Sequence, residues 1–329
     1  MKRQTTRSAK RVTSSDVAFA AGVSRTTVSF VLNNRADQSI SEATRQRVLD
    51  AAQRLEYRPN ASGRALAAGR SDIVLLSIPD LPMGAGINRF VEELAAALGS
   101  HDLTLVTHLA GAHGAPLPDV CATVNASAVV GLSPFEPETA AALRRAGAEV
   151  VLPEGHPDEP IMEPVGRLQA EHLIGRGHRR LGYALPGHPN LRSMAQERLL
   201  GAQQACADAG LEPPAVRVVN LDITAATEAV QAWTRDSVSG VCAFDDDTAL
   251  AVLAGLRETG RNAPADLAVI GADDIPAAAL AGPPLTTVVF DLRSAGRRRA
   301  EAVVSALTGG PPQSSPVSGR PYIIERRST

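Results

Sequence analysis

The residue types that could carry catalysis or bind metal ions lack the spacing that either activity needs. Lys2 and Lys10 are the only lysines, so the body of the chain lacks a lysine for a phosphate-binding loop or a Schiff base. No Gly-x-Ser-x-Gly motif and no His-Glu-x-x-His motif is present. Asp245, Asp246 and Asp247 are consecutive on a predicted strand-to-helix turn, where three carboxylates do not converge easily on one ion and helix N-capping is the alternative. We therefore expect no enzyme, no metal site and no cofactor.

Residues 17–31 have the spacing of a helix-turn-helix motif. Ala18 is small where two helices would cross, and Gly22 occupies the turn, where a positive φ carries no Cβ penalty. Val23, Val28 and Val31 can fill the shared core. Because the segment is N-terminal and basic, we expect it to bind DNA, with the second helix entering the major groove N terminus first.

The second helix and the residues at its ends supply two sets of predicted DNA contacts. Four residues would contact base edges: Arg25, Thr26, Ser29 and Phe30. Arg25 could donate two hydrogen bonds to guanine O6 and N7. Three residues are better placed for phosphates, which position a protein without reading its sequence: Thr13, Ser24 and Asn33. Helix capping or ordinary surface polarity remains the alternative for each of them.

The charge of the chain is divided unevenly along its length. Residues 1–70 contain 13 of the 33 basic residues and 5 of the 35 acidic residues, a net charge of +8. The remainder contains 20 basic and 30 acidic residues, a net charge of −10. A basic head on an acidic body predicts a polyanionic partner for the head alone.

Cysteine spacing and hydropathy exclude several classes of protein. The three cysteines have no CxxC spacing, so we expect neither a disulfide framework nor a zinc finger. No apolar stretch approaches about 18 residues, which argues against a membrane span. The basic start runs into polar residues and not into an apolar signal region, so we expect a cytoplasmic protein.

The elements that must position these residues change in character at about residue 71. Three short helices are predicted in residues 13–56, the first capped by Ser14 or Ser15, and Pro59 opens a linker. Apolar runs then alternate with helical spacing, which is typical of βαβ units. The predicted strands are residues 73–78, 103–107, 128–132, 150–152, 181–184, 216–219, 240–243 and 268–270.

An ordered set of motifs resembles the lactose-repressor (LacI/GalR) family along the whole chain. In the head the matching runs are VT at 12–13, DVA at 16–18, AGVS at 21–24, TVS at 27–29 and VLN at 31–33. In the body they include HLI at 172–174, GHRR at 177–180, DLAVIGADD at 266–274 and PLTTV at 284–288. The resemblance implies a small all-α helix-turn-helix head plus an α/β bilobed periplasmic-binding-protein-like domain, whose two lobes are doubly wound parallel sheets.

The resemblance also implies the domain boundaries. Residues 1–58 would form the DNA-binding domain, 59–70 a hinge helix or linker, and 71–329 the effector-binding and dimerisation domain. Within the last, the N-lobe would comprise about 71–161 and 285–312, and the C-lobe about 162–284 and 313–329.

Further site residues come from the resemblance alone. Leu66 matches the family's leucine that wedges into the minor groove. Arg198, Asp245 and Asp273 match positions that bind the effector in a cleft at the carboxyl ends of strands. The chain departs from the family near Met162, where an Asp-Asn pair is often found, and this departure puts the usual sugar contacts of that segment in doubt.

The predicted function is a repressor that binds a near-palindromic operator in double-stranded DNA. Its affinity would be set by a small polar effector, most simply a sugar, and regulation by activation is the alternative. We expect a homodimer, and no tetramer because no leucine heptad follows the last matched strand. A solute-binding protein or an enzyme of the same bilobed fold is the alternative reading, and steep salt dependence of DNA binding would separate it from a regulator.

Overall fold

A computed structural model describes residues 12–32, 40–57, 70–110, 114–154, 162–310 and 320–329. The chain divides into two compact units, Met1–Asp72 and Ile73–Thr329. Among the described residues, no helix is long and apolar enough to cross a membrane.

The first unit contains the three expected helices, α1 (Ser14–Ala21), α2 (Arg25–Leu32) and α3 (Glu42–Arg54). The expected cap at Ser14 or Ser15 is wrong, because Thr13 caps α1. The Thr13 hydroxyl accepts a hydrogen bond from the Asp16 N–H at 3.4 Å, and the Thr13 backbone N–H donates to the Asp16 carboxylate at 2.8 Å. Gly22 ends α1 with φ of 65°, the left-handed conformation expected of the turn.

The core of the head is built mainly from valine and alanine. Its buried members lie on all three helices: Val17, Ala18, Ala21, Val28, Val31, Val48, Ala51 and Ala52. Because Val28 and Val31 point into this core, the opposite face of α2 is left to solvent.

The first lobe of the second unit is a parallel sheet in the order β2-β1-β3-β4. Its strands are β1 (Ile73–Ile78), β2 (Thr104–Leu109), β3 (Ala128–Phe135) and β4 (Val150–Glu154). The helices between them are α4 (Ala85–Gly99), α5 (Leu117–Val124) and α6 (Pro137–Arg145).

The second lobe is a six-stranded sheet in the order β10-β9-β8-β7-β5-β6, with only β10 antiparallel. Its strands are β5 (Leu181–Pro186), β6 (Ala215–Val219), β7 (Gly240–Ala243), β8 (Ala268–Ala272), β9 (Thr286–Val289) and β10 (Tyr322–Ile324). Its helices are α7 (Glu163–Gly175), α8 (Arg192–Asp208), α9 (Ile223–Arg235), α10 (Asp246–Glu258) and α11 (Pro276–Leu280). A further helix, α12 (Leu292–Leu307), packs in the core of the first lobe.

The expected lobe boundary at residue 285 needs correction. Strand β9 pairs with β8, Ile270 lying opposite Thr286, so this strand belongs to the second lobe. The chain crosses to the first lobe only between Val289 and Leu292. All eight predicted strands are confirmed within a few residues at their ends.

The strand orders indicate which edge of each sheet could bind a ligand. In the second sheet β5 lies between β6 and β7, so the connections on its two sides diverge and leave a crevice at the carboxyl ends of the strands. In the first sheet β1 lies between β2 and β3, with the same result. The two lobes meet at these ends, since Asn190 Nδ2, beyond β5, donates to Asp80 O and Oδ2, beyond β1, at 2.7 and 3.0 Å.

Candidate functional site

The solvent-facing side of α2 carries the predicted base-contacting residues. Arg25, Thr26 and Ser29 are exposed, and Phe30 is half-buried. Helical spacing places these four residues side by side, opposite the core valines. The face therefore offers a guanidinium, two hydroxyls and one aromatic ring to a groove, while base contact itself stays a prediction.

The predicted phosphate-contacting residues have structural roles of their own. The Ser24 hydroxyl accepts a hydrogen bond from the Thr27 N–H at 3.0 Å and so caps α2, as Thr13 caps α1. Both residues are exposed, so capping and phosphate contact are compatible. Asn33 and the hinge residue Leu66 lie outside the described residues.

Arg198 occupies the centre of the candidate effector site and is only 4% exposed. Its Nη2 lies 3.3 Å from Asp273 Oδ1, and its Nη1 donates to the carbonyl oxygen of Phe244. The guanidinium carbon lies 4.6 Å from the centroid of the Phe244 ring, in a cation–π arrangement. Nη2 also contacts the Met162 sulfur at 3.8 Å. The structure thus places Arg198 beside Asp273, two of the three residues that the resemblance implies for effector binding, while effector binding itself stays a prediction.

Two glycines determine where Arg198 lies. A Cβ on Gly166 of α7 would fall 1.7 Å from the carbonyl oxygen of Arg198 on α8. A Cβ on Gly201 would fall 2.0 Å from the carbonyl oxygen of Glu163. Only glycine permits α7 and α8 to cross this closely, and the crossing fixes the position from which Arg198 reaches β7 and β8.

Asp273 follows β8 in a loop of unusual backbone conformation. Asp273 has φ of 97° and Asp274 has φ of 47°, both in the left-handed region that non-glycine residues rarely adopt. The N–H of Asp273 donates to the carbonyl oxygen of Val288 at 2.8 Å, which holds the loop against β9. In this conformation the Asp273 side chain is 25% exposed and faces Arg198.

Asp245 is half-buried at the end of β7 and caps α10. Its Oδ1 accepts a hydrogen bond from the Thr248 N–H at 2.8 Å, so the capping role considered from the sequence is present. Burial raises the pKa of the Asp245 carboxyl above its ordinary value, against hydrogen bonds from Thr248 that lower it. The carboxylate lies at the same sheet edge as Arg198 and Asp273.

Two residues have a positioning role that was not assigned from the sequence, which offered Asp246 only as a possible metal ligand or helix cap and did not name Gln169. Asp246 is fully buried, and it accepts hydrogen bonds from the Thr287 hydroxyl at 2.7 Å and the Ile275 N–H at 2.9 Å. Gln169, also fully buried, donates to the carbonyl oxygens of Ala243 and Gly271 at 2.8 and 2.9 Å, which ties the ends of β7 and β8 together. A polar residue inside an apolar helical face is a signal that could have identified Gln169.

The three carboxylates of the aspartate triplet have different surroundings. Asp246 points into the core, Asp245 caps the helix and Asp247 is exposed. Within the described parts of the chain, no group of three or more His, Cys, Asp or Glu side chains is placed to hold a metal ion. What the site offers is one buried guanidinium and two carboxylates, which suit a ligand rich in hydroxyl groups.

Two family models match the chain. The model described as bacterial regulatory proteins of the lacI family matches residues 13–60, and the model described as a periplasmic binding protein-like domain matches residues 170–329.

Curated relatives match over almost the whole chain. The transcriptional regulator CelR of Thermobifida fusca is 33% identical over 91% of this chain and 93% of its own length. The transcriptional repressor PurR of Photobacterium profundum is 28% identical over 95% of this chain and 97% of its own length.

Solved structures of similar proteins also match over almost the whole chain. The CelR–cellobiose complex has a TM-score of 0.64 and 28% identity, covering 97% of this chain and 100% of that one. The Lac repressor dimer bound to operator and the anti-inducer ONPF has a TM-score of 0.77 at 24% identity, covering 97% and 99%, and shows a shared fold. On this evidence, the chain belongs to the lacI family of bacterial transcriptional regulators.

Proposed function

We propose that the chain is a sequence-specific repressor whose affinity for a near-palindromic operator is set by a sugar bound against Arg198, Asp245 and Asp273. The Arg198–Asp273 pair carries the proposal. A nearly buried guanidinium and a quarter-exposed carboxylate at one sheet edge can donate to and accept from neighbouring hydroxyl groups.

The DNA-binding part of the proposal rests on the head. Its basic charge and the exposed polar face of α2 favour a polyanion with readable base edges. In this proposal residues 1–58 bind the operator, 59–70 form the hinge that carries Leu66, and 71–329 bind the effector.

A homodimer is part of the same proposal, because a near-palindromic operator needs two heads in fixed spacing. Exposed apolar side chains on the second lobe favour it. Leu221, Ile223 and Leu280 are exposed. Each is close in sequence to Ala226 or Ala278, and these two alanines belong to the same buried core cluster. Large apolar side chains that are exposed on a lobe are available to an association surface.

The proposed effector is tested first with cellobiose, because a relative's structure is a complex with that sugar. We would select a DNA site from a randomised library with the full chain, then measure DNA binding by fluorescence anisotropy at fixed salt with and without cellobiose. Direct binding of cellobiose would be followed by calorimetry, with glucose and guanine as comparison ligands.

Two aspartate variants make the test specific to the site. Asp273→Asn should weaken cellobiose binding about tenfold or more, because a hydrogen bond to a charged group is lost. Asp247→Asn, an exposed neighbour of the site, should bind cellobiose like wild type. Failure of every sugar tested to bind, or equal binding by both variants, would contradict the proposed effector site.

A further inference from the structure

Arg89 is a half-buried residue of α4 in the first lobe, and its guanidinium reaches into the second lobe. Nη1 donates to the carbonyl oxygen of Asp273 at 2.9 Å, and Nη2 donates to the carbonyl oxygen of Asp274. The two acceptors are consecutive in the chain, and the planar fork of arginine matches two neighbouring oxygens.

The loop at 273–275 has other polar groups, and these bind within the second lobe. The backbone N–H groups of residues 273, 274 and 275 donate, in that order, to Val288 O at 2.8 Å, Thr287 Oγ1 at 3.3 Å and Asp246 Oδ2 at 2.9 Å. The Asp274 carboxylate accepts a hydrogen bond from Arg326 Nη2 at 2.6 Å. Among the described residues, the contact from the first lobe to the two carbonyl oxygens comes from Arg89.

The backbone of this loop needs such support. Two consecutive non-glycine residues with positive φ persist only where surrounding contacts hold them. The N–H groups are held from one side by the second lobe, and the carbonyl groups are held from the other side by Arg89. The direction of the Asp273 side chain therefore depends on the hydrogen bonds within the second lobe and on those from Arg89.

We propose that Arg89 is a positioning residue of the effector site: it holds the loop that carries Asp273 to the first lobe through two backbone carbonyl oxygens. The proposal rests on the proposed function only in treating Asp273 as a ligand residue. In consequence, the position of the Asp273 carboxylate depends on how the two lobes are oriented relative to each other. A change in the orientation of the lobes moves the carboxylate, and a change at the carboxylate alters the orientation.

The test is hydrogen exchange, measured by mass spectrometry on the full chain without ligand. The amides of 273–275 exchange when the loop opens locally, and Arg89 stabilises the closed loop. Arg89→Ala should therefore raise exchange of peptides covering 273–275 about tenfold or more. Arg89→Lys should give an intermediate rate, because one ammonium group is a point charge and does not reproduce the fork.

Two control variants separate this role from a general effect. Asn190→Ala removes a different interlobe hydrogen-bonded contact, to Asp80, and should leave the exchange of 273–275 within about twofold of wild type. Arg293→Ala removes an exposed arginine that pairs with Glu93 inside the first lobe and should also leave it unchanged.

Three results would overturn the proposal. The first is that Arg89→Ala does not raise exchange selectively at 273–275, either because the exchange rate there is unchanged or because it rises equally in all peptides of both lobes. The second is an equal rise in Asn190→Ala, which would assign the effect to lobe contact in general. The third is a wild-type rate in Arg89→Lys. If cellobiose fails to bind wild type, the proposed effector is wrong, and the ligand-free exchange still decides the role of Arg89.

Discussion

Replacing Asp246 with asparagine should abolish the loss of second-lobe stability that the Asp246 carboxyl causes as the pH rises towards neutral. The Asp246 carboxyl is fully buried, and burial raises its pKa from 3.8 to about 7, against hydrogen bonds from Thr287 and Ile275 that lower it. Asparagine has nearly the same shape. Its Oδ1 can accept from the Ile275 N–H, and its Nδ2 can donate to the Thr287 oxygen.

The sign and size of the effect follow from the two pKa values. A carboxyl whose pKa is higher in the folded state contributes stability that is fully present below pH 3.8 and is lost as the pH rises through about 7. Between pH 5 and pH 8 this group should lower the free energy of unfolding by about 2.5 kcal/mol. The variant has no carboxyl at this position and should not show that loss.

The measurement is urea unfolding followed by the fluorescence of Trp233, at half-unit steps from pH 5 to pH 8. Trp233 is the one tryptophan of the chain and is fully buried in the same core cluster as Ala249 of α10. Its emission therefore reports on the second lobe and not on the head. At each pH the free energy of unfolding of the variant is compared with that of wild type. Because the other titrating groups are the same in both proteins, their contributions largely cancel in this difference.

Asp247→Asn is the matched control, because Asp247 is the exposed neighbour in the same helical turn. This variant shows what the removal of one exposed carboxylate from the turn does to the free energy of unfolding, and the Asp246→Asn result is compared with it. The reasoning is refuted if the plots of the free energy of unfolding against pH stay parallel for Asp246→Asn and wild type from pH 5 to pH 8. The buried carboxyl would then be no easier to protonate than an exposed one.

Further predictions concern packing, capping and DNA binding. Gly166→Ala should lower the thermal unfolding midpoint of the second lobe and weaken sugar binding, because the new Cβ would lie 1.7 Å from the Arg198 carbonyl oxygen. Thr13→Ala should destabilise the head by about 1 kcal/mol in thermal unfolding, through loss of the α1 cap. Arg25→Ala should cost about 1–3 kcal/mol in operator binding and relax the preference at one base pair per half-site in a library selection. Leu66→Ala should weaken operator binding in an anisotropy assay and leave sugar binding unchanged in calorimetry.

The sequence predicted the elements of this fold better than their assignment to lobes. Continuous apolar runs such as Ile73–Ile78 identify buried parallel strands because both faces of such a strand are covered. Strand β9 was placed in the wrong lobe, since the partner of a four-residue strand is set by long-range pairing with β8 and leaves no local pattern. The α1 cap was misplaced by one or two residues because Thr13, Ser14 and Ser15 all carry a suitable hydroxyl, and only the backbone conformation selects among them.

The aspartates of the effector site show why the roles of its residues needed the structure. Asp245, Asp246, Asp273 and Asp274 all follow parallel strands, so all four lie at one sheet edge. Their environments differ: Asp246 receives two hydrogen bonds inside the core, Asp274 pairs with Arg326, Asp245 caps a helix and Asp273 faces Arg198. These differences arise from contacts with β9, β10 and α8, which are distant in the chain. A motif can therefore locate the site, whereas the choice of the carboxylate that meets a ligand is made by the elements packed around it.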